Sequence, residues 1–217
     1  VMQRTTEILK QKEEKEILLQ EIHHRVKNNM QVIVSLLNIH SDYIKDPASQ
    51  LMLQDSKNRI KSMALIHEKL YESKNFTKVN IGEYLDKLII DLIDTYGVNI
   101  KINVEKEIES DAFGFDTIIP LGLLINEVIS NSLKYAFNNR TEGKIIFKLK
   151  KEGEFFILII GDDGVGIAKE KFENNSETLG IELIKILTEQ LNGTIELMGV
   201  KGTVFRIRFM SIDKRRI

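Results

Sequence analysis

The sequence contains no cysteine, no tryptophan and only two prolines, and its 217 residues hold no long hydrophobic run. Without cysteine there can be no disulfide framework, no thiolate zinc site and no cysteine nucleophile. That composition fits a reducing compartment and leads to the expectation of a cytoplasmic protein. The longest apolar run, FFILII at Phe155 to Ile160, falls far short of the roughly 20 residues that cross a bilayer and suits a buried strand. No membrane contact is therefore expected of this stretch of chain. The opening VMQRTTEILKQKEEKE is charged where a signal peptide would be apolar. It reads as mid-helix, so these residues are expected to be the C-terminal part of something longer. Nor is there an excess of one charge: 31 Lys and Arg against 32 Asp and Glu leave a net charge of -1. There is no global pull toward nucleic acid or anionic membrane, and no basic stripe or aromatic platform replaces it. What remains is 42% hydrophobic and 29% charged, enough for one large domain or two modest ones with real cores.

The first third is helical by pattern. From about Thr5 to Tyr43 there is no Gly or Pro, and Leu19, Ile22, Val26, Asn29, Ile33, Leu36 and His40 alternate three and four apart as a heptad seam. KDPAS supplies a turn, Pro47 opens the next helix, and Leu51, Leu53, Ile60, Met63, Leu65, Ile66 and Leu70 give it an apolar face. Such an antiparallel hairpin exposes a wide apolar stripe, most simply covered by its copy in a dimeric four-helix bundle. After about Asn75 helices and strands mix. Helices are predicted at Ile81 to Tyr96, Thr117 to Phe137 (Asp116 as cap, Pro120 in the first turn) and Leu179 to Leu191. Strands are predicted at Asn99 to Val104, Lys144 to Lys150, Glu154 to Gly161, Thr194 to Leu197 and Thr203 to Phe209. The fold class is α+β: a helical hairpin over residues 1–75, then an α/β sandwich over 76–217 with much antiparallel pairing, unlike a Rossmann repeat.

Within the first helix, EIHHRVKNNMQ from Glu21 concentrates polar chemistry. At about 100° per residue, His24 points roughly opposite Ile22, Val26, Asn29 and Ile33, whereas His23 falls on the flank of the seam with Lys27. A lone exposed histidine most often belongs to a solvated face. The adjacent pair lacks the i, i+4 spacing of a zinc site. The functional alternative is a nucleophile: a solvent-facing imidazole can attack phosphorus, and Arg25 and Lys27 can offset phosphoryl charge.

In PLGLLINEVISNSLKYAF the residues Glu127, Asn131, Lys134 and Asn138 form one polar stripe on an otherwise apolar helix. Oxygens of Asn131 and Glu127 one turn apart suit an octahedral magnesium ion and its waters, and Lys134 suits a phosphate. The same stripe also fits an ordinary helix face in water. Downstream, IIGDDGVGIA ends a buried strand in an acid pair and two spaced glycines, Gly164 and Gly166. Those glycines let backbone turn closely around a ligand, and a carboxylate at the strand end can accept from an exocyclic amine. ETLGIEL then starts a helix at a glycine, whose free N–H groups favour phosphate, and KGTVF adds another glycine and the hydroxyl of Thr203.

Taken in order, these motifs resemble a sensor histidine kinase core over essentially the whole length. HHRVKNN resembles the H-box of the subgroup related to the HWE kinases, NEVISNSLKYAF the N-box, DDGVGI and TLGIEL the two glycine boxes, and KGTVF the last strand-turn element of a Bergerat-type (GHKL) ATPase domain. The resemblance implies a dimerisation and histidine phosphotransfer hairpin followed by a domain that binds ATP and Mg2+. It implies a homodimer that moves the γ-phosphoryl group to histidine and then to an aspartate of a response regulator receiver domain. Residue by residue, it makes His24 the phosphoacceptor and Asn131 the magnesium ligand, with Glu127 the acid one turn earlier. Lys134 and Tyr135 fall near phosphate and nucleotide, Asp162 reads the adenine amine, and Gly164 and Gly166 are the first-box glycines. Gly180 begins the helix beyond the lid, and Thr203 stands beside the adenine pocket.

Three positions depart from the pattern. Arg25 replaces the acid that usually follows the phosphoacceptor, which removes the usual general base. Glu177 and Thr178 stand where many such kinases carry glycine, and the segment from Gly166 to Gly180 is short and charged. Two alternatives stay open: a non-catalytic phosphotransfer and docking module with a degenerate ATPase domain, and an ATP-driven conformational machine of the same superfamily without phosphohistidine.

Overall fold

The computed structural model describes residues 2–72, 79–96, 100–109, 112–173, 179–199 and 201–212. It divides into two compact units, Val1–Lys78 and Val79–Ile217. The stretch where the sequence places a boundary, residues 75–78, lies outside the described residues, as do Glu177 and Thr178.

Unit one is a hairpin of α1 (Met2–Ser41) and α2 (Pro47–Glu72). The turn is built by Asp46, whose Oδ2 accepts from the backbone N–H of Ser49 at 2.8 Å and from its hydroxyl at 2.6 Å, with Pro47 as the first helical residue. The Ser49 hydroxyl, then the Ser49 N–H, hold the Asp46 carboxyl below the usual carboxylate range. Among the described residues one half-buried stripe of α1 and the turn that follows runs through Lys27, Met30, Val34, Leu37, Ser41 and Ile44, spaced three and four apart. Lys27 pairs with Glu68 of α2 at 3.1 Å. This corrects the expected seam. Val26 is half-buried, but Asn29 and His40 are exposed, and Ile22, Ile33 and Leu36 are 54%, 45% and 52% exposed. Two adjacent apolar stripes run along α1, and the seam legible in the sequence is largely the outer one. The side chain of Leu19 lies outside the described ones.

Unit two is a two-layer α/β sandwich. Its elements are β1 (Val79–Asn80), α3 (Ile81–Tyr96), β2 (Lys101–Ile108), β3 (Ala112–Phe113) and α4 (Phe115–Asn131), which runs on into a π-helical turn at Ser132–Ala136. Then follow β4 (Glu142–Glu152), β5 (Phe155–Asp162), α5 (Lys169–Glu173), α6 (Leu179–Gln190), β6 (Thr194–Met198) and β7 (Val204–Met210). The five-stranded sheet has the order β2-β4-β5-β7-β6, parallel only between β2 and β4, while β1 and β3 form a separate antiparallel pair.

Alternation explains the layering. Ile145, Phe147 and Leu149 of β4, Leu158 and Ile160 of β5, and Ile207 and Phe209 of β7 are fully buried on one face. Against it lie Leu85 and Leu88 of α3, Leu121, Leu124 and Ile125 of α4, and Ile184 of α6. The other face is laced by ion pairs, Glu105 with Lys144 and Lys148 and Glu107 with Lys150. Asn80 caps α3 by accepting from the N–H of Glu83 at 3.0 Å. The cap expected at Asp116 is not formed. α4 starts at Phe115 on Gly114 with no side-chain cap bond, which leaves Asp116 in the first turn and moves Pro120 into the second.

Candidate functional site

Helix α4 is buried from Pro120 to Ser130, and its polar stripe runs from the interior outward: Glu127 is 2% exposed, Asn131 and Lys134 are half-buried and Asn138 is exposed. The helix tightens no further at Asn131. It widens into the π-helical turn, a single-turn insertion of the kind that often marks a functional site. Ser132 thereby faces inward beneath the end of β5. Its hydroxyl donates to Oδ2 of Asp162 at 2.6 Å.

Asp162 is 2% exposed, and its carboxylate is held from three sides. Oδ1 accepts from the backbone N–H of Gly164 at 2.9 Å and of Thr203 at 3.2 Å, and Oδ2 from Ser132. Its own N–H donates to the carbonyl of Thr203 at 2.9 Å. The neighbouring Asp163 has a different task. Its carboxylate receives Nη2 of Arg140 at 2.8 Å and the N–H of Lys144 at 2.8 Å, and Nη1 of Arg140 also reaches its carbonyl. Desolvation, the largest single influence, pushes the Asp163 carboxyl up. Arg140 and the Lys144 N–H together outweigh it and hold the group below the usual aspartate range.

The glycine turn is packed against the π turn. A Cβ on Gly164 would stand 2.3 Å from the carbonyl oxygen of Ala136, and Val165 N–H donates to that same oxygen at 3.1 Å. Gly166 has φ +78°, the left-handed region that favours glycine.

These elements enclose a cavity of about 280 Å³, near the lower end of small-molecule pockets. Asn131, Ser132, Tyr135, Asp162, Gly166 and Thr203 supply its polar wall, and Val128, Ile181, Ile184 and Phe205 are among the apolar residues lining it. Phe172 of α5 packs on Phe205 with ring centroids 5.6 Å apart, and Lys185 donates to the Phe172 carbonyl at 2.8 Å. Of the residues singled out in the sequence, Asn131, Tyr135, Asp162, Gly166 and Thr203 line this one cavity. Gly164 lies on the adjacent glycine-lined groove with Gly202 and Lys201. Gly180, at the start of α6, approaches Asn131 and Glu127: a Cβ there would be 3.0 Å from the Asn131 amide nitrogen and 3.5 Å from Oε2 of Glu127. Lys134 is not part of the cavity lining. Its ammonium sits 5.2 Å from the ring centroid of Tyr96 and 5.8 Å from that of Tyr135. Sequence reasoning missed Ser132, Arg140 and Asp163. A hydroxyl on the buried side of an apolar helix was the available signal for Ser132; the Arg140 clamp spans 23 residues and left none.

In the hairpin, His24 is exposed, with the Asn28 amide 3.2 Å from its Nδ1. Arg25 donates from Nε to Oε1 of Glu21 at 2.7 Å. The side chain of His23, expected on the flank, lies outside the described ones. Among the described residues no cluster of three or more His, Cys, Asp or Glu could hold a metal, and no helix is long and apolar enough to cross a membrane.

Comparison with known proteins finds two family profiles along the chain. A family profile described as histidine kinase matches residues 21–96, and one described as histidine kinase-, DNA gyrase B- and HSP90-like ATPase matches residues 116–212. The chain is 27% identical over 188 residues to the sensor histidine kinase PdtaS of Mycolicibacterium smegmatis, covering 86% of this chain and 38% of that protein. It is 29% identical over 197 residues to blue-light-activated histidine kinase 2 of Erythrobacter litoralis, covering 87% of this chain and 56% of that protein. The solved histidine kinase domain from the Erythrobacter litoralis EL346 blue-light activated kinase is similar at a TM-score of 0.63 and 27% identity, over 89% of this chain and 90% of that one. The chain thus spans from about two fifths to just over half the length of these relatives.

Proposed function

We propose, for a chain that belongs through its two matched domains to the histidine kinases, that it transfers the γ-phosphoryl group of ATP to His24 and then to an aspartate of a response regulator receiver domain. The observation that carries this reading is the single cavity on which Asn131, Tyr135, Asp162, Gly166 and Thr203 converge.

Asp162 is the reader of the base. With Oδ1 committed to two backbone N–H groups, its remaining lone pairs accept from the exocyclic amine of adenine, a donor that a guanine lacks at that position. The apolar wall of Val128, Ile181, Ile184 and Phe205 covers the faces of the purine. Lys134, beside the Tyr135 ring, contributes positive charge at the phosphate end. Transfer itself asks little covalent chemistry of the protein: positioning and electrostatics dominate.

The residues also fit a magnesium ion. Asn131 and Glu127 offer hard oxygen donors beside the N-terminal end of α6, and a site with one or two protein oxygens, completed by waters and phosphates, is the usual one for this ion. When bound, it would neutralise charge on the phosphate oxygens. His24, exposed on α1, presents the nucleophile.

The hairpin is the dimerisation element. Ile22, Val32, Ile33, Leu36 and Ile39 of α1 and Leu51 and Met52 of α2 are all more than two fifths exposed, and a second copy covers them in a four-helix bundle. We place the protein in the cytoplasm, where ATP and receiver domains meet.

Two measurements separate this reading from its rivals. A nucleotide titration should show ATP binding that depends on Mg2+ and is weakened by Asn131→Ala; no binding at all would point to a degenerate domain. Labelling from γ-labelled ATP should stop near one phosphoryl group per chain, acid-labile and alkali-stable. Sustained ATP turnover without label would instead indicate a conformational ATPase.

A further inference from the structure

Arginine at position 25 leaves open how His24 is prepared for attack. The charged groups around this turn are engaged with one another: Arg25 with Glu21 at 2.7 Å, and Lys27 with Glu68 of α2 at 3.1 Å. What stands against the imidazole is a neutral group, the amide of Asn28 one turn on, with Nδ2 drawn 3.2 Å from Nδ1 and Oδ1 half a turn of the amide away.

The two ends of an amide are nearly the same size, so half a turn about its terminal torsion puts Oδ1 where Nδ2 stood and exchanges donor for acceptor within the same outline. With the NH2 group toward Nδ1, the neutral ring carries its proton on Nε2 and has no lone pair there. With Oδ1 toward Nδ1, the ring keeps its proton on Nδ1 and Nε2 carries the free pair. We infer that Asn28 is the positioning residue of the transfer: by accepting the Nδ1–H of His24 it holds the tautomer whose Nε2 attacks.

The inference rests on the kinase reading above, and its step balances without a side-chain base. The Nε2 lone pair forms the bond to the γ-phosphorus as the bond from phosphorus to the β,γ-bridging oxygen breaks, and that electron pair leaves on ADP. The positive charge on the ring is relieved when the Nδ1 proton departs. A neutral amide does not take it, so it passes to the water that reaches the exposed ring. Arg25 then has no need to be an acid.

The test uses the full chain as wild type, Asn28→Ala and Asn28→Asp, with two readouts. The first is the rate of single-turnover labelling from γ-labelled ATP and Mg2+ across about pH 5 to 8, the interval in which imidazole side chains in general change charge. Asn28→Ala should lose about tenfold in rate with the KM for ATP unchanged, as expected of one positioning hydrogen bond. Asn28→Asp, an acceptor in either orientation, should restore the rate and move its acid limb to higher pH, because a carboxylate favours imidazolium. The second readout is the His24 tautomer by nitrogen NMR on the free chain: mainly Nδ1–H in the wild type and the aspartate variant, shifted toward Nε2–H in the alanine variant. An alanine variant that labels at the wild-type rate, or loses rate with an unchanged tautomer, overturns the inference. Absence of label on the wild type would instead sink the kinase reading, and the NMR comparison would still decide the role of Asn28.

Discussion

Replacing Asp162 by Asn is a sharp test of how the cavity reads its ligand, because it changes donors and acceptors while leaving shape alone. In the wild type the carboxylate accepts from Gly164 N–H, Thr203 N–H and the Ser132 hydroxyl. An asparagine can keep Oδ1 on the two backbone donors. Its Nδ2 must then face Ser132, whose hydroxyl can turn to accept and donate to the Val128 carbonyl at 3.0 Å instead. The fold therefore exchanges a charge-assisted bond for a neutral one, a loss of about 1–1.5 kcal/mol, and melts about 3–5 °C lower at roughly 3 °C per kcal/mol. The ligand loses more than strength. An NH2 group now meets the adenine amine, two donors face to face, and ATP affinity should fall by about 1.5–3 kcal/mol, or roughly 10- to 150-fold. Inosine triphosphate, with a carbonyl at the same ring position, should lose little or gain. Competition titrations of the two nucleotides against wild type and Asp162→Asn give the ratio directly. Equal losses for both nucleotides, or none for ATP, would refute the assignment of Asp162 as the reader of the base.

Other consequences follow from the same geometry. Gly164→Ala should destabilise the nucleotide-binding unit by about 1–3 kcal/mol or more and weaken ATP binding, since its Cβ would meet the Ala136 carbonyl at 2.3 Å. Gly153→Ala, with φ +63° and nothing within 4 Å, should cost only about 1–2 kcal/mol and leave binding intact; urea melts and titrations on both variants check the contrast. The Asp163 carboxyl lies below its usual range, so the stability it contributes is present above the ordinary aspartate pKa and lost only as pH falls through its lower, folded-state value. Arg140→Ala leaves desolvation to raise it and should move that loss to higher pH in urea melts; an unchanged acid limb would show that the clamp does not govern it. In the hairpin, Leu36→Glu should convert a dimer to monomer in sedimentation, each buried leucine being worth about 1.5–3 kcal/mol. A wild type already monomeric at micromolar concentration would remove the dimer from the account.

The sequence discloses the unit of structure best where local chemistry and packing coincide. Helix α3 falls at Ile81–Tyr96 as read, since its amphipathic period lies within the segment and its Asn80 cap immediately precedes it. Strands β4 to β7 are legible from alternation to within two residues, whereas β2, expected at Asn99 to Val104, runs Lys101–Ile108 with Asn99 outside the described residues, and the short β1 and β3 were not foreseen. The parallel pairing of β2 with β4 is not legible either, because Ile102 and Val104 can pair in either direction. The start of α4 was misplaced because Asp116 looks like a cap, while the chain turns at Gly114 behind the buried Phe113, which packs edge-on against Phe156 at 4.9 Å. The π-helical turn after Asn131 is invisible to a 3.6-residue period, yet it sets which way Ser132, Lys134 and Tyr135 face. Along α1 two apolar stripes lie side by side, and periodicity alone does not say which meets α2 and which is left outward. Ser132, Arg140 and Asp163 matter through partners far away in sequence, and such pairings form only when the sheet and α4 have docked.

The site of phosphorylation decides most directly whether His24 is the phosphoacceptor. Wild type, His24→Ala and His23→Ala are incubated with γ-labelled ATP and Mg2+, and the acid-labile label is measured and mapped by mass spectrometry. Label is expected on the wild type and on His23→Ala, mapped to His24, and none on His24→Ala. Label that persists in His24→Ala and disappears in His23→Ala would contradict it.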